Sequence, residues 1–565
     1  MESIKEFSDE EQAELIANNF AEVSQEYDKL KRDDIDIPEF DESDIPYITE
    51  TDVRKTLDEI DTNKSNVDGD VPSKILKQFS SYLALPFANV LNSAIRQGCW
   101  PTILKLEIVT PVAKVNPPQN LDQLRNISGL LNFDKIAEKI LSKLIIGDMK
   151  SKLDPAQYAN QKGLSIQHYL VKMIDRILQA VETGSKSESV AVLATLVDWK
   201  QAFPRQCPKL GINSFIQNGV RPSLIPIMIS YFQDRCMKVK WHGKVSSSKE
   251  LNGGGPQGST FGIWEYLSQS NHNADNISES DRFKFVDDLS FLEIIQLLSA
   301  GIATYNIRSH VPNHIPTHNQ IISASHLKSQ ADLNVINEWT KNQKMALNIK
   351  KTKNMIFNFT KKYQFTTSLS VNDEDIELVK ETKLLGTIIT EDLKWDKNTK
   401  EIVKKSYQRM QLLNTTASFT SNIPDLKAVY LTYIRSILEQ SAVVWHSSLT
   451  SKNRKSLERV QKAAVRVILK HKYTTYRAGL KYLNMQTLEQ RREVLCLRFA
   501  KRCLKTEKVK NMFPRKISGH KMKKRRMKKF KENKVKTKRY EKSAIPYMQR
   551  LLNKDDESKR KMMLI

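Results

Sequence analysis

The sequence is poor in the features that mark zinc sites, exported proteins and membrane proteins. Its five cysteines are scattered, and none forms a Cys-x-x-Cys pair with a histidine partner, so the sequence gives no zinc finger or zinc knuckle. Scattered cysteines also favour a reducing compartment. The first residues, Met1–Glu6, lack the apolar core of a signal peptide, and no apolar run approaches membrane-spanning length. We therefore expect a soluble intracellular protein with no membrane partner.

Acidic residues are scarce relative to basic ones, and this imbalance indicates a polyanionic partner. The 565-residue chain has 90 Lys and Arg against 64 Asp and Glu, a formal net charge of +26. An enzyme of small metabolites has little need of such an excess, so nucleic acid is the expected partner ahead of a membrane surface. The charge is uneven, because residues 1–50 are acidic and the chain beyond Lys501 is strongly basic. At roughly 150 residues per domain, the length predicts about two to four domains.

Two adjacent aspartates, Asp287 and Asp288, lie in the most informative stretch of the chain. Their flanks, Phe283–Phe285 and Leu289–Phe291, alternate apolar and polar residues and predict two strands. Because aspartate is a poor strand former, the pair is predicted to occupy the tight turn of a hairpin. Two neighbouring carboxylates repel each other unless a divalent cation binds between them. The alternative interpretation is an ordinary polar turn.

A third aspartate, Asp198, follows a nearly continuous apolar run, Val190–Val197, which predicts a buried central strand. Three carboxylates brought together hold two divalent ions about 3.5–4 Å apart in enzymes of in-line phosphoryl transfer. Magnesium, or manganese in its place, suits oxygen ligands that substrate phosphates complete. The three aspartates therefore predict a metal-dependent phosphoryl-transfer site.

Other segments suit the phosphates of a nucleotide. Gly253–Thr260 is a glycine-rich loop that opens a helix, where the backbone can approach a ligand closely and unpaired N–H groups are available. Lys105, Lys114 and Arg125 follow one another along the chain, and cations of this kind balance the charge of a triphosphate. A plain turn and ordinary surface charge are the alternatives for these segments.

The remaining patterns outline the rest of the chain. Apolar spacing predicts an amphipathic helix around Ala13–Phe20 that is followed by a linker, and helices from Trp395 to about Lys470 whose basic residues suit a phosphate backbone. Residues 293–328 are irregular and contain histidines that match no metal-ligand spacing. The stretch Lys516–Lys542 is dominated by Lys and Arg, and we expect it to be disordered by itself and to bind nucleic acid through counterion release.

The order of these motifs resembles the reverse transcriptases of non-LTR (LINE-type, jockey-like) retrotransposons. Val197–Phe203 is similar to motif A of that family, Gly255–Ser259 to motif B and Phe285–Asp288 to motif C. The resemblance runs from about Asp68 to Lys505. Further similar segments are Pro111–Lys114 and Arg125–Ser128 in the fingers, Trp339, Leu347–Asn348 and Lys351–Lys353 in motif D, Leu385–Gly386 and Trp395 in the next block, and Leu457–Ala464 in the thumb.

The resemblance implies an α+β right-hand polymerase fold. Residues 1–60 would form an acidic N-terminal extension, 61–385 the fingers and the palm with its antiparallel sheet, 386–480 a helical thumb, and 481–565 a basic nucleic-acid-binding region. Ahead of the fingers we find no catalytic set of the endonuclease that such elements carry. We therefore expect a polymerase without the N-terminal endonuclease, either as a fragment of a longer reading frame or as a decayed copy.

The resemblance also implies roles for individual residues and partners. Asp198, Asp287 and Asp288 would be the catalytic carboxylates that bind two Mg²⁺ or Mn²⁺ ions. The partners would be an RNA template, a DNA primer or target and deoxynucleoside triphosphates, in the nucleus after assembly on RNA in the cytoplasm. The implied nucleotide-binding residues are Phe203 under the sugar, Gln257 and Gly258 along the nucleotide and template, Arg125 and Lys114 at the triphosphate, and Lys351 as a proton donor to pyrophosphate.

The chain departs from the family pattern near these motifs. Pro204 replaces a frequent Asp, Asn126 replaces the usual Pro, and residues 264–271 replace an apolar helix. Two alternatives therefore stay open: an inactive relic that only binds nucleic acid, and an RNA-dependent RNA polymerase. Phe203 argues against the second alternative, because RNA synthesis needs room for the 2′-hydroxyl.

Overall fold

The computed structural model describes residues 6–184, 188–298, 328–359, 369–516 and 529–562. Most of the histidine-containing segment and part of the basic stretch, residues 299–327 and 517–528, lie outside the described residues. The α-helices are α1 (Asp9–Glu22), α2 (Glu50–Asp58), α3 (Ser73–Gln78), α4 (Ser80–Gln97), α5 (Asn132–Met149), α6 (Ile166–Thr183), α7 (Pro208–Gln217), α8 (Ile225–Phe232), α9 (Thr260–Gln269), α10 (Lys328–Asn342), α11 (Asp396–Phe419), α12 (Ile423–Val429), α13 (Ser436–Glu439), α14 (Ala442–Trp445), α15 (Ser451–Leu469), α16 (Tyr476–Tyr482), α17 (Leu488–Cys503), α18 (Lys538–Glu541) and α19 (Ala544–Met562).

The helices alternate with strands along much of the chain, so the predicted α+β class is confirmed. None of the described helices is long and apolar enough to cross a membrane. The strands are β1 (Leu106–Ala113), β2 (Leu124–Gly129), β3 (Glu188–Val197), β4 (Arg235–Trp241), β5 (Lys244–Val245), β6 (Lys249–Leu251), β7 (Arg282–Phe285), β8 (Asp288–Leu298), β9 (Lys353–Phe357), β10 (Ser370–Val371), β11 (Glu374–Asp375), β12 (Glu377–Leu378), β13 (Glu381–Leu384) and β14 (Thr387–Thr390).

The chain folds into two compact units, and each unit is assembled from separate segments. Each unit also has its own apolar core. The first unit consists of the described residues of Met1–Asp154, Trp199–Asn276 and Asn334–Asn348, and the second unit consists of those of Pro155–Asp198, Ile277–Leu333 and Ile349–Ile565.

A mixed sheet with the strand order β2-β1-β4-β5 lies in the first unit, and β6 also pairs with β4. β1 and β2 are antiparallel, with Val109 opposite Ser128, whereas β1 and β4 are parallel. The predicted amphipathic helix is α1, and it covers this sheet with its apolar side. Ile16 and Ala17 are fully buried there in a cluster that includes Val109 and Val239.

Helices α4, α5, α8 and α9 enclose the larger core of the first unit. In this core the ring of Trp100 meets that of Tyr231 edge-on, with 5.0 Å between the centroids. Helix α9 begins directly after Ser259, whose hydroxyl caps it by accepting a hydrogen bond from the Gly262 N–H at 2.7 Å. The glycine-rich loop therefore leads into a helix, as the sequence predicts.

The second unit is built on a sheet with the strand order β12-β9-β3-β8-β7. The predicted central strand is β3, which pairs antiparallel with β8 on one side and with β9 on the other. Residues 191–194 of β3 are fully buried. Helix α6 packs on this sheet through side chains such as Tyr169 and Leu170, which are also fully buried. A strand that is covered on both faces needs apolar side chains at nearly every position, which explains the continuous apolar run.

Helices after Trp395 form the rest of this core, as their spacing predicts. Leu413 of α11, Leu457 and Val460 of α15 and Leu488 of α17 are fully buried. α11 and α15 pack against each other, and α17 packs against α15 and α19.

The described end of the basic stretch differs from its prediction. We expected Lys516–Lys542 to be disordered by itself, but residues 529–542 belong to a folded segment in which α18 and α19 pack on α6. Tyr540 and Met548 are buried in the core of the second unit, and the carboxylate of Glu182 accepts a hydrogen bond from the Thr537 N–H at 3.0 Å. The prediction failed because it weighed the many lysines and not the few apolar residues that recur at helical spacing.

Candidate active site

The hairpin of β7 and β8 carries the two adjacent aspartates. Phe285 pairs with Asp288, so the connection between the strands consists of two residues, Val286 and Asp287. We predicted both aspartates in the turn, but only Asp287 lies there, and Asp288 is the first residue of β8. The Asp287 side chain is exposed, and that of Asp288 is half-buried.

Contacts from a neighbouring segment hold this turn in an unfavourable backbone conformation. Val286 has φ +56°, a value that β-branched residues rarely adopt and that costs on the order of 1–3 kcal/mol. Its N–H donates to Oε1 of the buried Gln157 at 3.1 Å. Beside the turn, the Lys284 N–H donates to the Ala156 carbonyl at 2.9 Å, and the Tyr158 N–H donates to the Lys284 carbonyl at 2.8 Å. The geometry of the Asp287 position thus depends on residues far away in sequence.

The strand register brings Asp198 to the same end of the sheet. Val197 of β3 pairs with Leu289 of β8, so the next residue, Asp198, lies beside Asp288. The Asp198 N–H donates to the Thr352 hydroxyl at 3.2 Å, which fixes the backbone where β3 ends. Lys351 precedes Thr352 and is exposed.

Their electrostatics show that the three carboxylates form one cluster. Burial raises the pKa of Asp288 to about 7, and the nearby charges of Asp287 and Asp198 add to the increase. Burial also raises the pKa of Asp198, while the Lys351 ammonium opposes the increase and Asp287 reinforces it. Carboxylates that raise one another's pKa are stabilised by a cation, because the cation removes their mutual repulsion.

The donor chemistry of this cluster fits a hard divalent ion, with one condition. Within the described ranges, no three His, Cys, Asp or Glu side chains are arranged so that they could hold a metal ion. Magnesium commonly uses one or two protein carboxylates and completes its shell with water and substrate phosphates. A metal ion at these side chains would therefore need further oxygen ligands from water or from a substrate.

The predicted nucleotide-binding loops of the first unit are bonded to one another through their backbones. The Gly255 N–H donates to the Phe203 carbonyl at 3.1 Å, and the Gly254 N–H donates to the Gln206 carbonyl at 2.8 Å. The Gln257 carbonyl in turn accepts from the Ser128 N–H of β2 at 2.9 Å. The structure thus brings the segments similar to motifs A and B and to the fingers into direct contact.

Side chains in these loops are closely packed. The Phe203 ring stacks on Tyr266 of α9, with 5.4 Å between the centroids. Gly258 has φ +126°, and a Cβ atom there would lie 3.2 Å from the Ser128 carbonyl oxygen, so this position requires glycine. Gln257 is half-buried.

Of the three predicted triphosphate cations, Lys105 is buried, and Arg125 and Lys114 lie on the β1–β2 hairpin. Arg125 is exposed on β2, on the same strand as Ser128, and pairs with Val112. Lys114 follows the end of β1, and its ammonium donates to the Asp122 carbonyl at 2.6 Å. From Val109, opposite Ser128, to Lys114 the strand advances about 17 Å at roughly 3.3 Å per residue. Arg125 is therefore the nearer of the two to the segment similar to motif B.

Sequence reasoning missed several residues that support the site. Gln157 and Thr352 act through hydrogen bonds to backbone N–H groups, and no local pattern predicts such contacts. Tyr27, in the segment expected to be a linker, is buried against the loops of the first unit. Glu265 is fully buried on α9, and its only signal was the departure from an apolar pattern at 264–271.

No protein-family model matches the chain. A probable RNA-directed DNA polymerase from transposon BS of Drosophila melanogaster is 22% identical over 508 residues, which cover 86% of this chain and 52% of the relative. The RNA-directed DNA polymerase from mobile element jockey of the same species is 26% identical over 48% of this chain and 28% of the relative. Its counterpart from Drosophila funebris is 22% identical over 65% of this chain and 38% of the relative.

The alignment with the BS relative covers most of this chain, and each of the three alignments covers only part of its relative. The chain spans about half the length of the BS relative and less of the others. The relatives carry the activity in their names, and the order of motifs predicted the same family. The predicted resemblance is therefore confirmed as far as the names go: the relatives of this chain are named RNA-directed DNA polymerases of a transposon and of mobile elements.

Proposed function

We propose that this chain is an RNA-directed DNA polymerase that extends a primer 3′-hydroxyl on an RNA template with deoxynucleoside triphosphates. The observation that carries the proposal is the cluster of Asp198, Asp287 and Asp288 at one end of the second unit's sheet. The cluster occurs in a chain whose homologues are named for this reaction. The strongly basic composition suits both nucleic-acid partners.

The three aspartates would hold two magnesium ions together with the phosphates of the substrate. When bound, such ions lower the pKa of the attacking hydroxyl and neutralise charge that develops in phosphoryl transfer. The exposed Asp287 and the half-buried Asp288 and Asp198 would present carboxylate oxygens to a substrate from one end of the sheet. Lys351, whose charge opposes the increase that burial causes in the pKa of Asp198, would donate a proton to the departing pyrophosphate.

The loops of the first unit would bind the incoming nucleotide. Phe203, held by its stack on Tyr266, would occupy the space that a ribose 2′-hydroxyl needs. Gln257 and Gly258 would line the nucleotide and the template, because glycine allows the backbone to approach a base or sugar closely. Arg125, and less directly Lys114, would bind the triphosphate.

We also propose the subdomains that a right-hand polymerase would have. The sheet β12-β9-β3-β8-β7 would be the core of the palm, and the β1–β2 hairpin would belong to the fingers. Helices α11 to α15, with their basic residues, would be the thumb that contacts the nucleic-acid backbone.

Primer extension on poly(rA)/oligo(dT) with Mg²⁺ and dTTP tests the proposal. The wild type is expected to extend the primer, and Asp287→Asn is expected to abolish extension while leaving the fold intact. Asp373→Asn is a matched control, because Asp373 is also the second residue of a two-residue hairpin turn, between Val371 and Glu374 of β10 and β11. Equal loss in both variants would contradict a specific role for Asp287.

A parallel assay separates the two alternatives. If UTP replaced dTTP with equal efficiency, the chain would be an RNA polymerase. If the folded wild type bound the duplex but incorporated neither nucleotide, it would be a relic that only binds nucleic acid.

A further inference from the structure

The segment after helix α1 is not a free linker, because specific contacts fasten it to the first unit. Gln25 donates its side-chain N–H to the Glu250 carbonyl at 3.1 Å. The carboxylate of Glu26 accepts two hydrogen bonds from the Arg205 guanidinium, at 2.8 and 3.1 Å. Lys29 forms an ion pair with Asp234 at 3.0 Å. The chain on both sides of Tyr27 is thus held in place.

Tyr27 itself reaches three loops. Its hydroxyl donates to the Arg205 carbonyl at 2.9 Å and lies 3.3 Å from the Lys344 carbonyl oxygen. Its ring packs so closely on Gly253 that a Cβ atom added at Gly253 would overlap it. The side chain is only 5% exposed, and burial raises the pKa of its hydroxyl to about 12, so the hydroxyl keeps its proton.

Two of these loops carry predicted nucleotide-binding residues, and the third is bonded to the segment similar to motif A. Arg205 is two residues after Phe203, in the segment similar to motif A. Gly253 opens the glycine run whose Gly255 N–H bonds the Phe203 carbonyl. Lys344 lies two residues before Ala346, whose carbonyl accepts a hydrogen bond at 2.8 Å from the N–H of Lys200, within the segment similar to motif A. The Tyr27 side chain therefore contacts all three loops.

We propose that Tyr27 is a positioning residue that fixes Phe203 and the glycine-rich loop for deoxynucleotide selection. This inference rests on the proposed polymerase function. A loop that carries a selecting side chain needs support from residues packed around it, because small displacements of that side chain change both affinity and discrimination. The acidic N-terminal segment would then be part of the nucleotide-binding machinery.

Tyr27→Phe is the most selective variant, because it keeps the ring on Gly253 and removes only the hydroxyl. Steady-state primer extension is expected to show a KM for dTTP raised about three- to tenfold, the loss expected for one hydrogen bond, with kcat changed less than twofold. The preference for dTTP over UTP is expected to fall by a similar factor. Tyr47→Phe is the control, because Tyr47 belongs to the same segment but is 69% exposed.

Hydrogen exchange of the full-length protein gives a readout that does not require activity. In Tyr27→Phe, the Gly254 and Gly255 amides, which bond the Gln206 and Phe203 carbonyls, are expected to exchange about three- to tenfold faster. Amides of β1 and α4 are expected to exchange at the wild-type rate. Tyr27→Leu, which also loses the ring, is expected to enlarge the first effect.

The outcomes separate the two proposals. If the wild type extends no primer but the loop amides respond as expected, the polymerase function fails and the positioning contact stands. If neither KM nor the exchange of the loop amides changes in Tyr27→Leu, the positioning role is refuted. A uniform increase of exchange throughout the first unit would also refute it, because Tyr27 would then serve only general stability.

Discussion

Glu265 provides the sharpest test of how the first unit is packed. It lies on α9 with no exposed surface, and neither of its carboxylate oxygens has a hydrogen-bond partner among the described residues. A Cβ atom added at Gly211 would overlap Glu265 Oε1, which shows how tightly the carboxyl group is enclosed. We predict that Glu265→Gln, which keeps the shape and removes the titration, stabilises the protein at neutral pH.

The magnitude follows from the pKa. Burial raises the pKa of Glu265 from its ordinary value of 4.5 to about 8. Below about pH 4.5 both the folded and the unfolded protein hold this proton, so the group has no effect on the free energy of unfolding. Between pH 4.5 and 8 the unfolded chain releases the proton and the folded protein keeps it, so stability falls as pH rises. At pH 7 this loss amounts to about 3 kcal/mol, at 1.36 kcal/mol per pH unit.

The assay is urea unfolding of wild type and variant from pH 4.5 to 8, followed by tryptophan fluorescence. Other titrating groups are common to both proteins, so they cancel in the difference. That difference is expected to be small near pH 4.5 and to grow in favour of Glu265→Gln by about 3 kcal/mol at pH 7. Glu338→Gln is the control, because it removes a carboxyl group at an exposed position of α10 and leaves the buried one in place. Its stability difference from the wild type is expected to stay nearly constant with pH.

One result would refute the reasoning. If the stability difference between wild type and Glu265→Gln did not change with pH, the carboxyl group would titrate alike in the folded and unfolded protein. Glu265 would then be hydrated or paired with a cation, and α9 would pack less tightly against α7 than the contact between Gly211 and Glu265 implies.

Three further predictions concern the site and its supports. Gln157→Leu removes the acceptor of the Val286 N–H and is expected to lower the free energy of unfolding by about 1–3 kcal/mol. Hydrogen exchange at the Val286 amide is expected to become faster, and an unchanged rate would contradict the supporting role of Gln157. Phe203→Val is expected to let the polymerase incorporate UTP, measured as the ratio of kcat/KM for dTTP and UTP, whereas an unchanged ratio would argue against a steric role. Met548→Ala opens a cavity at a fully buried position of α19 and is expected to lower the free energy of unfolding by about 2–5 kcal/mol, measured by thermal or urea unfolding. A decrease below about 0.5 kcal/mol would mean that α19 does not belong to the core.

Much of the candidate site was accessible from the sequence, because its signals are local. Alternation around Asp287 predicted β7 and β8, and the apolar run before Asp198 predicted β3 as a central strand. The glycine-rich loop and the start of a helix at its end were likewise predicted from residue types alone. Local patterns of this kind indicate which face of a helix or strand is buried and where the element ends.

Other features were decided by contacts between distant residues. The turn of two residues, with Val286 at positive φ, depends on the buried Gln157 amide. The position of Asp198 beside Asp288 depends on the register of β3 and β8. A strand's register is set by its partner and by packing on both faces, so the sequence of either strand alone does not specify it.

By itself, the sequence determined the elements, the order of the motifs and the carboxylates available for catalysis. Only the tertiary structure decided that each compact unit combines separate segments, that Tyr27 packs on Gly253, and that the apolar residues of α19 fold a lysine-rich end of the chain onto α6. The physical reason is that the spacing of apolar residues reflects neighbours a few residues apart in sequence. Burial depends instead on which distant segments of the chain pack against each other. Burial also raises the pKa of Glu265 and holds the Tyr27 ring against Gly253.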